Sequence, residues 1–229
     1  MEKKLIQTLL KKHRDFFSPV IETRNKPIEV LDFTEQNKAL DEFDISDTSA
    51  FESYILQQLD DYKRIGVGGY GEDRIIYRRS SLFDSEKEPR CIHLGIDIWV
   101  PADTPVYAPL DAKVHSFAYN ETFGDYGATI ILQHELESAV FYTLNGHLSR
   151  KSLEGKKEGM KIEKGDSFAS VGNHTENGQW PPHLHFQVIT DMLGRRGDYF
   201  GVAPPSEKER YFELCPNPNL ILNIPELEQ

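Results

Sequence analysis

Cysteine is scarce: the 229 residues hold two, Cys91 and Cys215. They lie far apart and form no C-x-x-C pair, which excludes a disulfide framework and a cysteine-rich zinc site. Both read as small buried hydrophobes, compatible with a reducing compartment. Positive charge is also short, with 26 Lys and Arg against 37 Asp and Glu and a net charge of −11. No basic stripe with interleaved aromatics appears, so nucleic acid and anionic membranes are excluded as expected partners. Long apolar runs are missing too. The N-terminal "LIQTLL" is broken by polar residues and followed at once by Lys11, Lys12, His13 and Arg14. A secretory signal needs about 7–15 apolar residues before a small-residue cleavage site, and a membrane span needs about 20. The expectation is a cytoplasmic protein without a membrane span. The Gly-rich "GVGGYGEDR" (66–74) lacks the Gly-Lys-Ser/Thr ending of a phosphate loop and reads as a plain turn.

What is present fits one medium globular domain with extensions, 38% hydrophobic and 28% charged. Residues 1–64 read as a helical region and acidic connector, 65–195 as the main domain, and 196–229 as a C-terminal extension. Leu5, Ile6, Leu9, Leu10, His13, Phe16 and Phe17 recur at helical spacing and stop before Pro19. The connector "LDFTEQNKALDEFDISDTSAF" offers little core. Ser49 and Glu52 suggest a capping box opening a helix with Phe51, Tyr54, Ile55 and Leu59 on one stripe. From about residue 90, short strand-like runs alternate with Gly, Pro, Asn and Asp turns, without helices between them. That texture predicts a mainly β domain, an antiparallel sandwich or open barrel. The tail "PNPNLILNIPELEQ" is too apolar at Leu220, Ile221, Leu222 and Ile224 to float in solvent. It is expected to pack on the β domain with Leu5, Leu9 and Phe16, narrowing one end of a groove.

Period two singles out the chemistry. In "WPPHLHFQV", His183 and His185 share one strand face while Leu184, Phe186 and Val188 take the other. An isolated H-x-H is equally a surface pattern. In "CIHLGIDIW", however, His93 and Asp97 share a face with Gly95 leaving open space between them, and Ile92, Leu94, Ile96 and Ile98 fill the opposite one. In "FYTLNGHL" the same parity groups Thr143, Asn145 and His147. Histidines with a carboxylate suit catalytic zinc, which takes three protein ligands and keeps a fourth position for water. Further imidazoles would then move protons or stabilise an oxyanion.

"HLGID", "GHLS" and "PHLHF", in that order, resemble the motifs of the lysostaphin-type, LytM-like zinc metallopeptidases that cut peptide crosslinks in bacterial cell walls. "PADTPVYAPLDAKV" and "GMKIEKGDSFASVG" extend the resemblance over roughly residues 90–190. It implies a compact, mainly antiparallel β domain with the metal in a groove. It also implies Zn²⁺ on His93, Asp97 and His185, with His147 and His183 catalytic. The implied partner is a peptide substrate, a muropeptide among them; oligomeric state is left open. "GNHTENGQWPP" departs from the family's "G-x-T-G-x-S-x-G" turn. The arrangement from Gly66 onward, with the C-terminal extension, looks more like the subgroup fused to class III aminotransferase-like and kinase-like modules.

The remaining candidates divide between roles. His134 either lines the cleft or is structural, while His115 and His174 read as turn or strand-edge residues, with His174 also a candidate groove contact. Cys91 shares the face of His93, but two ligands at i and i+2 would crowd an ion. Trp180, Tyr107 and Tyr126 suit either peptide contact or packing. Two rival functions stand beside the peptidase. One is a non-haem iron oxygenase, which leaves His147 and His183 unused. The other is a non-hydrolytic, metal-bound binding or regulatory module of the same fold.

Overall fold

The computed structural model describes residues 2–23, 26–84, 88–137 and 139–228. Among the described residues twelve strands dominate: β1 Ile28–Leu31, β2 Ile65–Gly68, β3 Ile92–His93, β4 Ile96–Trp99, β5 Pro105–Tyr107 and β6 Ala112–Asn120 come first. β7 Gly127–Leu136, β8 Ala139–Leu148, β9 Lys161–Ile162, β10 Ser167–Ser170, β11 His183–Ile189 and β12 Val202–Ala203 complete them. Helices are α1 Glu2–Lys12, α2 Thr48–Gln58, α3 Lys208–Leu214 and α4 Asn219–Leu222. Among the described residues, no helix is long and apolar enough to cross a membrane.

The fold is mainly β, as the alternating runs imply. Eight strands form one open sheet in the order β1-β2-β4-β11-β8-β7-β6-β9, and β5–β10 and β3–β12 form two small sheets. Pairing is antiparallel except between β1 and β2, which run parallel. One face of the sheet is the main core. Val67, Ile96, Ile98, Leu184, Phe186 and Val188 point into it and meet Val106 and Phe168 of the small β5–β10 sheet. Strands that alternate Ile, Leu and Val with polar residues bury one side this way. The other face carries Asp97, His183 and His185.

The added segments depart from expectation. α1 buries Ile6, Leu9 and Leu10 in the main core, whereas Leu5 and Phe16 stay about half exposed. A 3-10 turn at Arg14–Phe16 breaks the helical phase, and Phe16 instead lies under the Lys164 ammonium. The acidic connector does supply core: Leu31, Phe33 and Leu40 pack with Phe51, Ile55 and Leu59 around Trp99. α2 is capped by Asp47, whose carboxylate accepts from the Ser49 and Ala50 amides at 2.8 and 3.2 Å. That cap displaces the expected Ser49–Glu52 box by two residues.

The apolar tail packs down as expected, with Ile221 and Ile224 in the same core as α1. The Asn219 side chain both donates to and accepts from the Ile224 backbone, closing that turn. It does so on the core side of the sheet, away from the histidines. The walls of the groove come instead from other segments, residues 76–83 with Arg90, and residues 195–202.

A candidate metal centre

Register explains how the site assembles. β11 lies between β4 and β8, so that His185 faces Asp97 on one side and Gly146 on the other, while His183 faces Trp99. β2 continues the row, with Gly66 opposite Trp99 and Gly68 opposite Asp97. The first three residues of the run expected to be a plain turn, 66–68, are thus strand, with Gly66 and Gly68 clearing the site face and Val67 entering the core, while Tyr70 and Gly71 do turn. β3 is separated from β4 by Leu94 and Gly95, so "CIHLGIDIW" is two short strands rather than one. The segment after β2 pins His93: its amide donates to Glu72 O (2.9 Å), and its carbonyl accepts from the Gly71 amide (2.8 Å).

His147 reaches the site by a different route from the one parity suggests. Asn145 pairs with Phe186 and Thr143 with Val188, so both face the core with those residues. Parity would send His147 there too. Its backbone instead takes φ +60°, a conformation uncommon outside glycine. The register of β7 and β8 slips beside it, between Ala128 and Ile130. The imidazole swings to the opposite face, 4.2 Å from the His183 ring.

Three potential ligand atoms converge. His185 Nδ1 is 3.0 Å from Asp97 Oδ1, His93 Nε2 is 3.3 Å from the same oxygen, and the two nitrogens are 3.1 Å apart. His183 Nε2 stands outside this triangle, 4.0 Å from Asp97 Oδ1. The second nitrogen of every imidazole faces an acceptor. His93 Nδ1–H donates to Gly69 O (2.9 Å), His147 Nδ1–H to Asn177 O (2.8 Å), and His183 Nδ1–H to Pro181 O (2.8 Å). Gln187 donates its amide N–H to Phe200 O (2.9 Å), which turns its Oε1 toward His185 Nε2 (3.0 Å). His185 Nε2 therefore carries the proton.

Each imidazole has one proton when neutral, so the nitrogens turned inward are bare lone pairs. Burial pushes His93 and His183 down to about 4 and His147 well below the ordinary histidine value, which favours the neutral forms. Burial opposes the charge on Asp97, yet His93, once protonated in acid, and the permanently charged Arg74 guanidinium outweigh it and hold the carboxyl well below the usual range. Two lone pairs and a carboxylate oxygen about 3 Å apart repel one another unless a cation lies between them. A tetrahedron with bonds of about 2.0–2.1 Å has edges of about 3.3 Å, which matches this triangle. The residues fit a divalent metal such as zinc.

The site opens into a cavity of about 250 Å³. His183, Trp180, Tyr77, Phe83, Tyr126 and Phe200 line it, with Arg90, Arg195, Asp125 and Asp198 also in its wall. Trp99 stacks on His183 at 4.1 Å, and α2 supports both tryptophans through Phe51. Several sequence candidates take no part in the triangle. His134 lies on the core face, its Nδ1–H donating to Asp111 O and its Nε2 accepting from the Thr143 hydroxyl. His174 is a surface group near Glu52, and His115 bonds Ser116 in β6. Cys91 lies outside the converging trio, its thiol pushed up to about 12 by burial and Asp73. Tyr107 sits in the small β5 sheet, whereas Trp180 and Tyr126 are buried cavity wall. Arg74, Gln187 and the Gly69 carbonyl escaped the sequence reading. The alternation of Gly66 and Gly68 around Val67 was the signal available for that segment.

Comparison with known proteins finds sequence relatives for the segment that holds the site. The model of Peptidase family M23 matches residues 91–196. An uncharacterized metalloprotease of Haemophilus influenzae is 35% identical over 95 residues, 42% of this chain and 18% of that protein. Peptidoglycan DD-endopeptidase ShyC of Vibrio cholerae is 27% identical over 101 residues, 44% of this chain and 21% of that protein. A crystallised zinc-containing peptidase from Vibrio cholerae shares 27% identity over 46% of this chain and 29% of that chain, with a TM-score of 0.36. The chain spans about a fifth of the length of the curated relatives it matches. The segment that the model of Peptidase family M23 matches holds all five candidate site residues, and both curated relatives align over a similar length of this chain.

Proposed function

We propose that the protein is a zinc-dependent metallopeptidase that hydrolyses peptide bonds in short peptides, peptidoglycan-derived ones included. The observation that carries this is the triangle of proton-free ligand atoms on His93, Asp97 and His185, flanked by two more imidazoles with bare Nε2 atoms. In this reading the three residues hold the metal. Zinc, when bound, supplies a Lewis acid that acidifies water and polarises a carbonyl. His147 and His183 do the proton work: with Nδ1–H fixed on Asn177 O and Pro181 O, each Nε2 takes a proton from the attacking water or returns one to the leaving amine. Once protonated, the same atom stabilises a developing oxyanion.

Burial supports the restriction to short peptides. The five side chains are at most 5% exposed, so a substrate must enter the cavity rather than lie across an open groove. Its volume, about 250 Å³, falls just below the usual range for ligand pockets, about 300–1,000 Å³. The names of the relatives, a metalloprotease and a peptidoglycan endopeptidase, agree with the reaction class. The narrower likeness to members joined to aminotransferase-like and kinase-like modules is also our reading, resting on the arrangement from Gly66 onward.

The test is incubation of zinc-loaded protein with a defined set of short peptides and muropeptides, followed by mass analysis. New fragments should appear, vanish with a chelator and return with zinc. An intact library at full zinc occupancy would favour a metal-bound module without turnover.

A further inference from the structure

We propose that Arg74 is a positioning residue that restricts Asp97 to a single ligating oxygen. The inference rests on the metal reading above, and Arg74 itself lies outside the matched segment 91–196. Arg74 is 1% exposed, a costly place for a guanidinium unless it is paired and hydrogen-bonded. Its Nε donates to Glu72 Oε2 at 2.6 Å, and its Nη1 donates to Asp97 Oδ2. Glu72 is anchored in turn, its Oε1 accepting from the Phe33 amide at 3.0 Å. The guanidinium also lies over the Phe33 ring, 5.2 Å from its centroid. Gly68, directly opposite Asp97, makes room: any Cβ there would collide with Arg74 Nη2.

The clamp divides the two oxygens of Asp97. Oδ1 faces His93 Nε2 and His185 Nδ1, while Oδ2 is held by Arg74. A carboxylate with both oxygens free can chelate an ion through both, taking a position that water would otherwise occupy. With Oδ2 engaged, Asp97 offers one oxygen and coordination stays open for water and substrate. Charge points the same way. Glu72, Arg74 and Asp97 together carry one negative charge beside neutral imidazoles, so a divalent ion leaves the site net positive. Without Arg74 that surplus disappears, and with it much of the pull on water or a carbonyl.

Lysine and arginine are not interchangeable in such a fork, because an ammonium lacks the planar pair of donors that spans two carboxylates. This separates positioning from a plain ion pair. The test uses the full chain with cobalt in place of zinc, read by visible absorption, together with zinc affinity by chelator competition. Arg74→Met should weaken and shift the cobalt d–d bands, as an added carboxylate oxygen raises the coordination number. It should also lower zinc affinity about 10–100-fold. Arg74→Lys should recover affinity more than the spectrum. Glu72→Gln, which keeps the guanidinium but loosens its second anchor, should fall between wild type and Arg74→Met and covers the case in which that variant does not fold. Wild-type spectra and affinity in folded Arg74→Met, or in Glu72→Gln if Arg74→Met does not fold, would overturn the proposal and leave the metal reading standing. A wild-type protein that takes up no cobalt or zinc would overturn both.

Discussion

Replacing His147 or His183 with alanine is expected to leave zinc in place and lower turnover by about 10²–10⁴-fold, the range for loss of a positioned general acid or base. Neither ring belongs to the converging trio: His183 Nε2 is 4.0 Å from Asp97 Oδ1, against 3.0–3.3 Å between the trio's own atoms. Both rings have one nitrogen tied to a backbone carbonyl, so in the neutral ring the other has a fixed direction and carries the lone pair that accepts a proton. His147 is held at φ +60°. Such a conformation costs on the order of 1–3 kcal/mol, and it is what aims the ring at His183. The measurement is kcat/KM on a cleaved peptide beside zinc content. Wild-type rates in both alanine variants would leave the two histidines without a catalytic role.

Gly95→Ala is expected to lower zinc affinity by on the order of 100-fold while most of the fold survives. The sequence suggested open space at Gly95. The structure fills it with the His185 ring: an added Cβ would come within 2.5 Å of His185 Cε1 and 2.7 Å of its Nε2. It would also meet Phe186 O at 2.9 Å, so the backbone cannot give way freely. The imidazole must move, and the 3.0 Å bond from Nε2–H to Gln187 goes with it. Nδ1 then leaves the triangle. Chelator competition and thermal melting together read this. Unchanged affinity would show that the ring has slack that the close contacts deny.

How much of this was legible in the sequence depends on the range of the interactions. Strand parity correctly put His183 with His185, because β11 is a regular strand with a uniformly apolar reverse face. It also grouped His93 with Asp97, although a break at Leu94 and Gly95 means that two strands, not one, deliver them. Parity failed at His147, where a bulge and a left-handed residue reverse the side chain's direction. Resemblance to the "GHLS" motif selected His147, and periodicity had no means of seeing the reversal. Composition misjudged the connector because Leu31, Phe33 and Leu40 are diluted among acids yet reach one cluster around Trp99. Least legible were the groups that orient the candidate ligands. The Gly69 carbonyl and Arg74 meet His93 and Asp97 only once the β2 segment lies beside β3 and β4, and they share no local pattern. Gln187, by contrast, follows His185 by two on β11 and was within reach of the same parity.

Zinc content per chain after exhaustive dialysis addresses the central claim most directly. Wild type should hold one zinc per chain, while His93→Ala and Asp97→Ala, folded by circular dichroism, should hold little. Each substitution removes one corner of a triangle whose other two atoms are already proton-free and fixed from behind. Full occupancy in both folded variants would contradict this assignment of His93, Asp97 and His185.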